Sequence, residues 1–156
     1  MSESPDFQSA IVAELENLQK ELQAVEPLLK KLRIEEPDQI EIRAVATTLH
    51  AFYTGVERVF VHIAKHVDGD LPSGSSWHQE LLRRMASSSS LRPAVIDEEL
   101  AQVLTEYLGF RHFHRHAYPM SLKWKRIQPL VQSLEQANRE FESAVRRFLS
   151  SLSSPQ

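Results

Sequence analysis

The chain has 156 residues, 42% of them hydrophobic and 25% charged, with four glycines, no cysteine and a formal net charge of −3. That length suits one domain with a real core. The missing cysteines exclude disulfides and thiolate metal sites, and the slightly acidic balance argues against a globally basic nucleic-acid binder. The polar, acidic start Met1-Ser2-Glu3-Ser4-Pro5-Asp6 lacks the basic and apolar parts of a signal peptide. No apolar run approaches the roughly 20 residues that span a bilayer. A cytoplasmic protein with no membrane partner and no cofactor is the expectation.

The first pattern is a long apolar seam. Phe7, Ile11, Leu15, Leu18, Leu22, Val25, Leu29 and Leu32 recur at steps of three and four, which predicts one helix face packed in a bundle. Pro27 falls inside it and predicts a kink or split near Val25 and Glu26. After Glu35-Glu36-Pro37, Asp38 is a candidate N-cap. The second helix then carries a wide stripe from Ile42 through Phe52, Tyr53, Val56 and Phe60 to Val67, the mark of the most buried element. Asp68 to Ser75 reads as a loop. Its two aspartates resemble the start of a calcium loop, but the closing glutamate is missing.

Ser76 and Gln79 have capping-box spacing and predict a short helix through Leu81, Leu82 and Met85, with Trp77 as its anchor. Asp97 caps a fourth helix, and Glu98 and Glu99 suit its positive end. Leu100, Leu104 and Tyr107 form its buried edge. The helix should fail by Tyr118, because Pro119 disfavours helical geometry in the residue before it. A last helix carries Leu130, Leu134, Ala137, Phe141, Val145, Phe148 and Leu152. The sum is an all-α, mostly up-and-down bundle of four long helices and one or two short ones, one domain over residues 1–156.

Chemistry concentrates in Arg111-His112-Phe113-His114-Arg115-His116-Ala117-Tyr118, which holds three histidines, two arginines and a tyrosine. Arg111 continues the stripe of Tyr107 and should face inward. A guanidinium cannot shed its charge, so it needs an anion there; Glu57 on the second helix is the candidate within the chain. His116 lies five residues on, about 140° around a continuous helix. The two converge only if the helix unwinds before Pro119. No acidic residue occurs between Glu106 and Glu135, while Arg111, Arg115, Lys123, Lys125 and Arg126 fall in that span. It is a local basic patch of the kind that draws in a phosphate backbone.

Several chemistries compete. His112 and His116, at i and i+4, have metal-pair spacing, but the glutamate of a zincin-type motif is absent. There is no strained-turn serine nucleophile and no glycine-rich phosphate loop. RNA cleavage without a metal fits better. The RNA supplies its own 2′-hydroxyl nucleophile, and the protein needs a base, an acid and a cation for the phosphorane. Histidine can transfer the proton, arginine can hold two phosphate oxygens, and Phe113, Tyr118 or Trp124 can stack on bases. One arginine beside one histidine supplies half of that set, so a homodimer with a composite cleft is expected.

Arg111, His116 and Tyr118 together form Arg-x4-His-x-Tyr, and this motif near the end of a late helix resembles the HepT-like branch of the HEPN superfamily. The helical pattern and the segment Tyr53-Thr54-Gly55-Val56-Glu57-Arg58-Val59-Phe60 are also similar to that branch. The resemblance implies a metal-independent RNase, the toxin of a type VII-like toxin–antitoxin pair acting on tRNA or mRNA. It implies Arg111 and His116 as catalytic residues. It further implies an MNT-type nucleotidyltransferase antitoxin that transfers AMP to Tyr118. Arg115, Lys123, Lys125, Arg126 and His112 are the candidate RNA-binding residues. The alternative is a non-catalytic helical adaptor that presents nucleic acid or nucleotide to a nucleotidyltransferase; a structural homodimer with a surface histidine cluster is the third reading.

Overall fold

The computed structural model describes residues 3–116 and 122–153. Among these, six α-helices are present: α1 (Glu3–Lys31), α2 (Gln39–Ile63), α3 (Trp77–Met85), α4 (Glu98–His116), α5 (Trp124–Gln132) and α6 (Leu134–Ser153). Four are long and two short, as the periodicity predicts. Their buried faces form one apolar cluster. The second helix is central, packing against α1, α3, α4 and α5. No helix among the described residues is long and apolar enough to cross a membrane.

The seam of α1 is buried along its length, from Phe7 to Leu32. The expected split at Pro27 does not occur: α1 runs unbroken to Lys31. A proline removes one hydrogen bond and crowds the preceding turn, and Leu29 and Leu32 beyond it are buried, so packing keeps the last turn helical. At Gly55 of α2, an added Cβ would lie 2.5 Å from a Leu18 methyl. The missing side chain is what lets α1 approach this closely.

Asp38 caps α2 with a full capping box: the Glu41 N–H donates to Asp38 Oδ1 at 2.8 Å, and the Asp38 N–H donates to Glu41 Oε1 at 3.0 Å. The helix ends in a π-type turn over Ala64–Asp68, closed by Gly69 at φ 91°, a left-handed conformation that favours glycine. The two loop aspartates serve arginines. Asp68 receives both Nε and Nη2 of the buried Arg92, at 2.7 and 3.0 Å, and Asp70 receives Arg84 at 3.2 Å. Among the described residues, no three His, Asp or Glu side chains come together as a metal set.

Two boundary expectations are corrected. Ser76 precedes α3, but its side chain makes no capping bond; α3 is held by its buried face of Leu81, Leu82 and Met85 instead. The expected single last helix is broken at Ser133 into α5 and α6. The Tyr107 hydroxyl explains the break. It donates to the Leu130 carbonyl at 2.8 Å and lies 2.9 Å from Ser133 Oγ, so a side chain takes up backbone hydrogen bonding at the joint. Burial pushes the Tyr107 phenol up to about 12, which keeps it a donor. Asp97 caps α4 as expected, accepting the Leu100 N–H at 2.8 Å.

Candidate active site

The fourth helix turns Leu100, Leu104, Tyr107 and Arg111 to the inside, one turn after another. Arg111 is therefore buried, at 4% exposure. It meets α2 at Glu57, the carboxylate expected of it, with Nη2 donating to Oε1 at 2.9 Å and Oε2 at 3.0 Å. Its guanidinium carbon lies 5.0 Å from the Tyr53 ring centroid, a cation–π contact. Among the described residues Nη1 has one long hydrogen bond, 3.5 Å to Thr54 Oγ1. The Tyr53 hydroxyl is buried without a partner among the described residues. Burial, and then Glu57, push its phenol well above the ordinary range, with Arg111 opposing.

A third residue joins this pair. His78, near the start of α3, brings Nδ1 to 2.7 Å from Glu57 Oε2 and 3.1 Å from Arg111 Nη2. The shorter contact decides the proton. A carboxylate oxygen can only accept, so Nδ1–H donates to Glu57, and Arg111 sits beside it held by its own two bonds to the same carboxylate. That tautomer leaves Nε2 with a free lone pair. The neighbouring Trp77 ring lies against the imidazole at 3.9 Å between centroids.

His78 was not legible as a site residue from motif spacing. A signal existed, however: positions 78, 82 and 85 share the apolar stripe of α3, and a histidine on such a stripe faces the core. Glu57 and Thr54 stand out in the same way on the wide stripe of α2.

His116 lies elsewhere. The fourth helix continues without unwinding through His116, so the local condition for convergence with Arg111 is not met. Within one chain the two side chains share no hydrogen bond or ring contact. The His116 Nδ1–H donates to its own helix, to the His112 carbonyl at 2.8 Å, and its ring lies 4.6 Å from that of His112. Both rings are exposed. This bond engages Nδ1 and leaves Nε2 without a hydrogen bond among the described residues. Tyr118 and Pro119 lie outside the described residues.

Between the buried cluster and this exposed end, His114 stacks on Phe110 at 5.6 Å and approaches His50 of α2 at the same distance. Burial lowers the His50 pKa, and the charges of His114, Arg111 and Arg115 lower it further. The surface basic residues gather where α4 ends and α5 begins. Arg115, Lys123, Lys125 and Arg126 are exposed, and the Arg126 guanidinium sits 6.0 Å from the exposed Phe113 ring. Of the basic span, only Arg111 is withdrawn into the core.

An α-helical bundle with an arginine and a histidine five residues apart at the end of a late helix resembles the HEPN-type helical proteins. A sequence model described as HepT-like protein matches residues 44–152. The chain belongs to that family. The matched span takes in most of α2 and nearly all of α6, with Glu57, His78, Arg111 and His116 between, and leaves α1 outside. Neither a curated protein nor a solved structure matches the chain.

Proposed function

We propose that this HepT-like protein is the toxin of a type VII-like toxin–antitoxin pair, a cytoplasmic, metal-independent endoribonuclease that uses Arg111 and His116. Family membership, with both motif residues inside the matched span, is the observation that carries the reading. Arg111 steadies the phosphate through the donors Glu57 leaves free, and His116 transfers a proton through its unengaged Nε2. Since one chain holds these two side chains apart, the working cleft is composed by two copies about a two-fold axis. Arg115, Lys123, Lys125, Arg126 and His112 form the surface along which the RNA backbone runs, with Phe113 as a stacking face.

Regulation in this reading is covalent. An MNT-type nucleotidyltransferase partner attaches AMP to Tyr118, two residues past His116, placing a phosphate and a base where RNA would lie. Protein made together with its nucleotidyltransferase should gain one or more AMP units by intact mass, and Tyr118→Phe should gain none and stay toxic. Equal labelling of that variant would place the acceptor elsewhere.

One observation favours a second reading. Glu57 already occupies Arg111, as it would in a non-catalytic adaptor that binds nucleic acid or nucleotide for the nucleotidyltransferase. Cleavage decides between them. Purified protein is incubated with tRNA and single-stranded RNA in EDTA beside Arg111→Ala and His116→Ala. Wild type should cut at least ~100-fold faster than either variant; equal rates favour the adaptor, and cleavage restored only by magnesium would exclude the metal-independent mechanism.

A further inference from the structure

The reading above gives each chain one proton-transfer histidine, whereas cleavage at a 2′-hydroxyl needs two proton transfers, one from the attacking oxygen and one to the leaving oxygen. The chain holds a second histidine against the motif arginine, and it is not in the motif.

We propose that His78 is the general base of the site, with Glu57 as its positioning residue. Three observations converge. First, the Nδ1 of His78 is tied to Glu57 at 2.7 Å, which fixes the ring and leaves Nε2 as the basic nitrogen, the arrangement that a carboxylate imposes on a catalytic imidazole. Second, the cluster is graded in exposure: the side chains of Arg111 and Glu57 are 5% and 11% exposed, that of His78 29%. The Nε2 atom makes no hydrogen bond among the described residues, yet it is not one of the buried polar atoms left without a partner. The ring that carries it is partly exposed. Third, the groups packed on the ring come from three elements, Glu57 from α2, Arg111 from α4 and Trp77 from α3 itself, so the imidazole is held in place before substrate arrives.

The step balances without water or a metal. His78 Nε2 takes the proton of an RNA 2′-hydroxyl as that oxygen bonds to the adjacent phosphorus. The phosphorus–O5′ bond breaks, and the departing 5′-oxygen receives a proton from protonated His116. The products are a 2′,3′-cyclic phosphate and a 5′-hydroxyl. Arg111 faces the phosphate with Nη1, whose only hydrogen bond among the described residues is the long one to Thr54 at 3.5 Å.

The assignment rests on the ribonuclease reading, and the experiment separates the two. Rates on a fluorogenic RNA oligonucleotide are measured in EDTA from pH 5 to 9 for wild type, His78→Asn, His116→Ala and Arg111→Ala. The asparagine amide can replace Nδ1–H toward Glu57 but cannot titrate. His78→Asn should lose about 100-fold or more in rate and should lose the acid-side limb of the pH profile, which a general base produces. A rate within threefold of wild type with an unchanged profile overturns the assignment, while the ribonuclease reading stands as long as the other two variants are dead. Intact RNA after incubation with wild type overturns both.

Diethyl pyrocarbonate on folded wild type gives a test that needs no variant. Loss of cleavage should track modification of His78 mapped by peptide mass, and RNA should protect it. Full modification of His78 with activity retained overturns the assignment.

Discussion

Two arginines are buried in this chain, and they are satisfied in opposite ways. Arg92, at 4% exposure, is saturated: Asp68 takes Nε and Nη2, the Ser87 and Pro93 carbonyls take Nη1 at 3.0 Å each, and the Arg84 carbonyl shares Nη2 at 3.3 Å. All three nitrogens are engaged, and what they join is the π-turn, the end of α3 and the strap leading to α4. Arg111, equally buried, spends one nitrogen on Glu57 and holds the other terminal nitrogen at a distance from Thr54. A structural arginine uses its donors up; Arg111 keeps some in reserve and has a histidine beside it. Loosely held donors next to a titratable ring are the pattern of a site.

The largest expected effect tests the saturated member. Arg92→Ala takes the donor from three carbonyls and leaves Asp68 only the 3.7 Å pairing with Arg84, and breaking a buried ion pair in this way costs about 3–5 kcal/mol, a fall in Tm of roughly 10 °C for a chain of this size. RNA cleavage measured well below that Tm should be unchanged. Arg111→Ala should show the reverse order of effects, with activity abolished and a smaller loss of Tm, because Glu57 can turn toward the 11% of its side chain already in water and toward His78. Calorimetry finding Arg111→Ala the more damaging of the two would make Arg111 the structural residue and reverse the comparison.

The two arginines also mark what could be read in advance. Arg111 was legible because helical periodicity puts it on the stripe of Tyr107, and because a charge that cannot be shed demands an acid, which the wide stripe of α2 offers at Glu57. Arg92 was not legible. It lies on an irregular strap where no period applies, and its partner Asp68 is read as a loop residue. The bundle, the Asp38 and Asp97 caps and the central place of α2 follow from spacing alone. The break at Ser133 does not, since it is made by a hydroxyl 26 residues away. The same limit hid His78: its meeting with Glu57 joins residues 21 apart across two helices, and no local pattern encodes that angle. The described part of α4 ends at His116; the expected failure of the helix by Tyr118 falls on residues outside those described, because Pro119 restrains its predecessor and not the turn that ends at 116.

The smallest expected effect concerns pH, and it falls on one side of the comparison only. The charge of Arg111 acts on His50, while Arg92 has carbonyls and an aspartate around it. Burial lowers the His50 pKa below its ordinary 6.5, helped by His114, Arg111 and Arg115, and burial with His66 does the same at His62. A histidine whose pKa is lower in the folded state binds its proton more readily once unfolded. Its contribution to stability is therefore whole above the unfolded pKa and shrinks as pH falls from there toward the folded value. Tm should decline between pH 7 and 5. His50→Gln, which cannot titrate, should decline less, by roughly 1–2 °C. His112→Gln, exposed at the far end of α4, serves as the comparison and should follow wild type. If His50→Gln declines as steeply as wild type, burial and the neighbouring charges of His114, Arg111 and Arg115 do not hold the His50 pKa down.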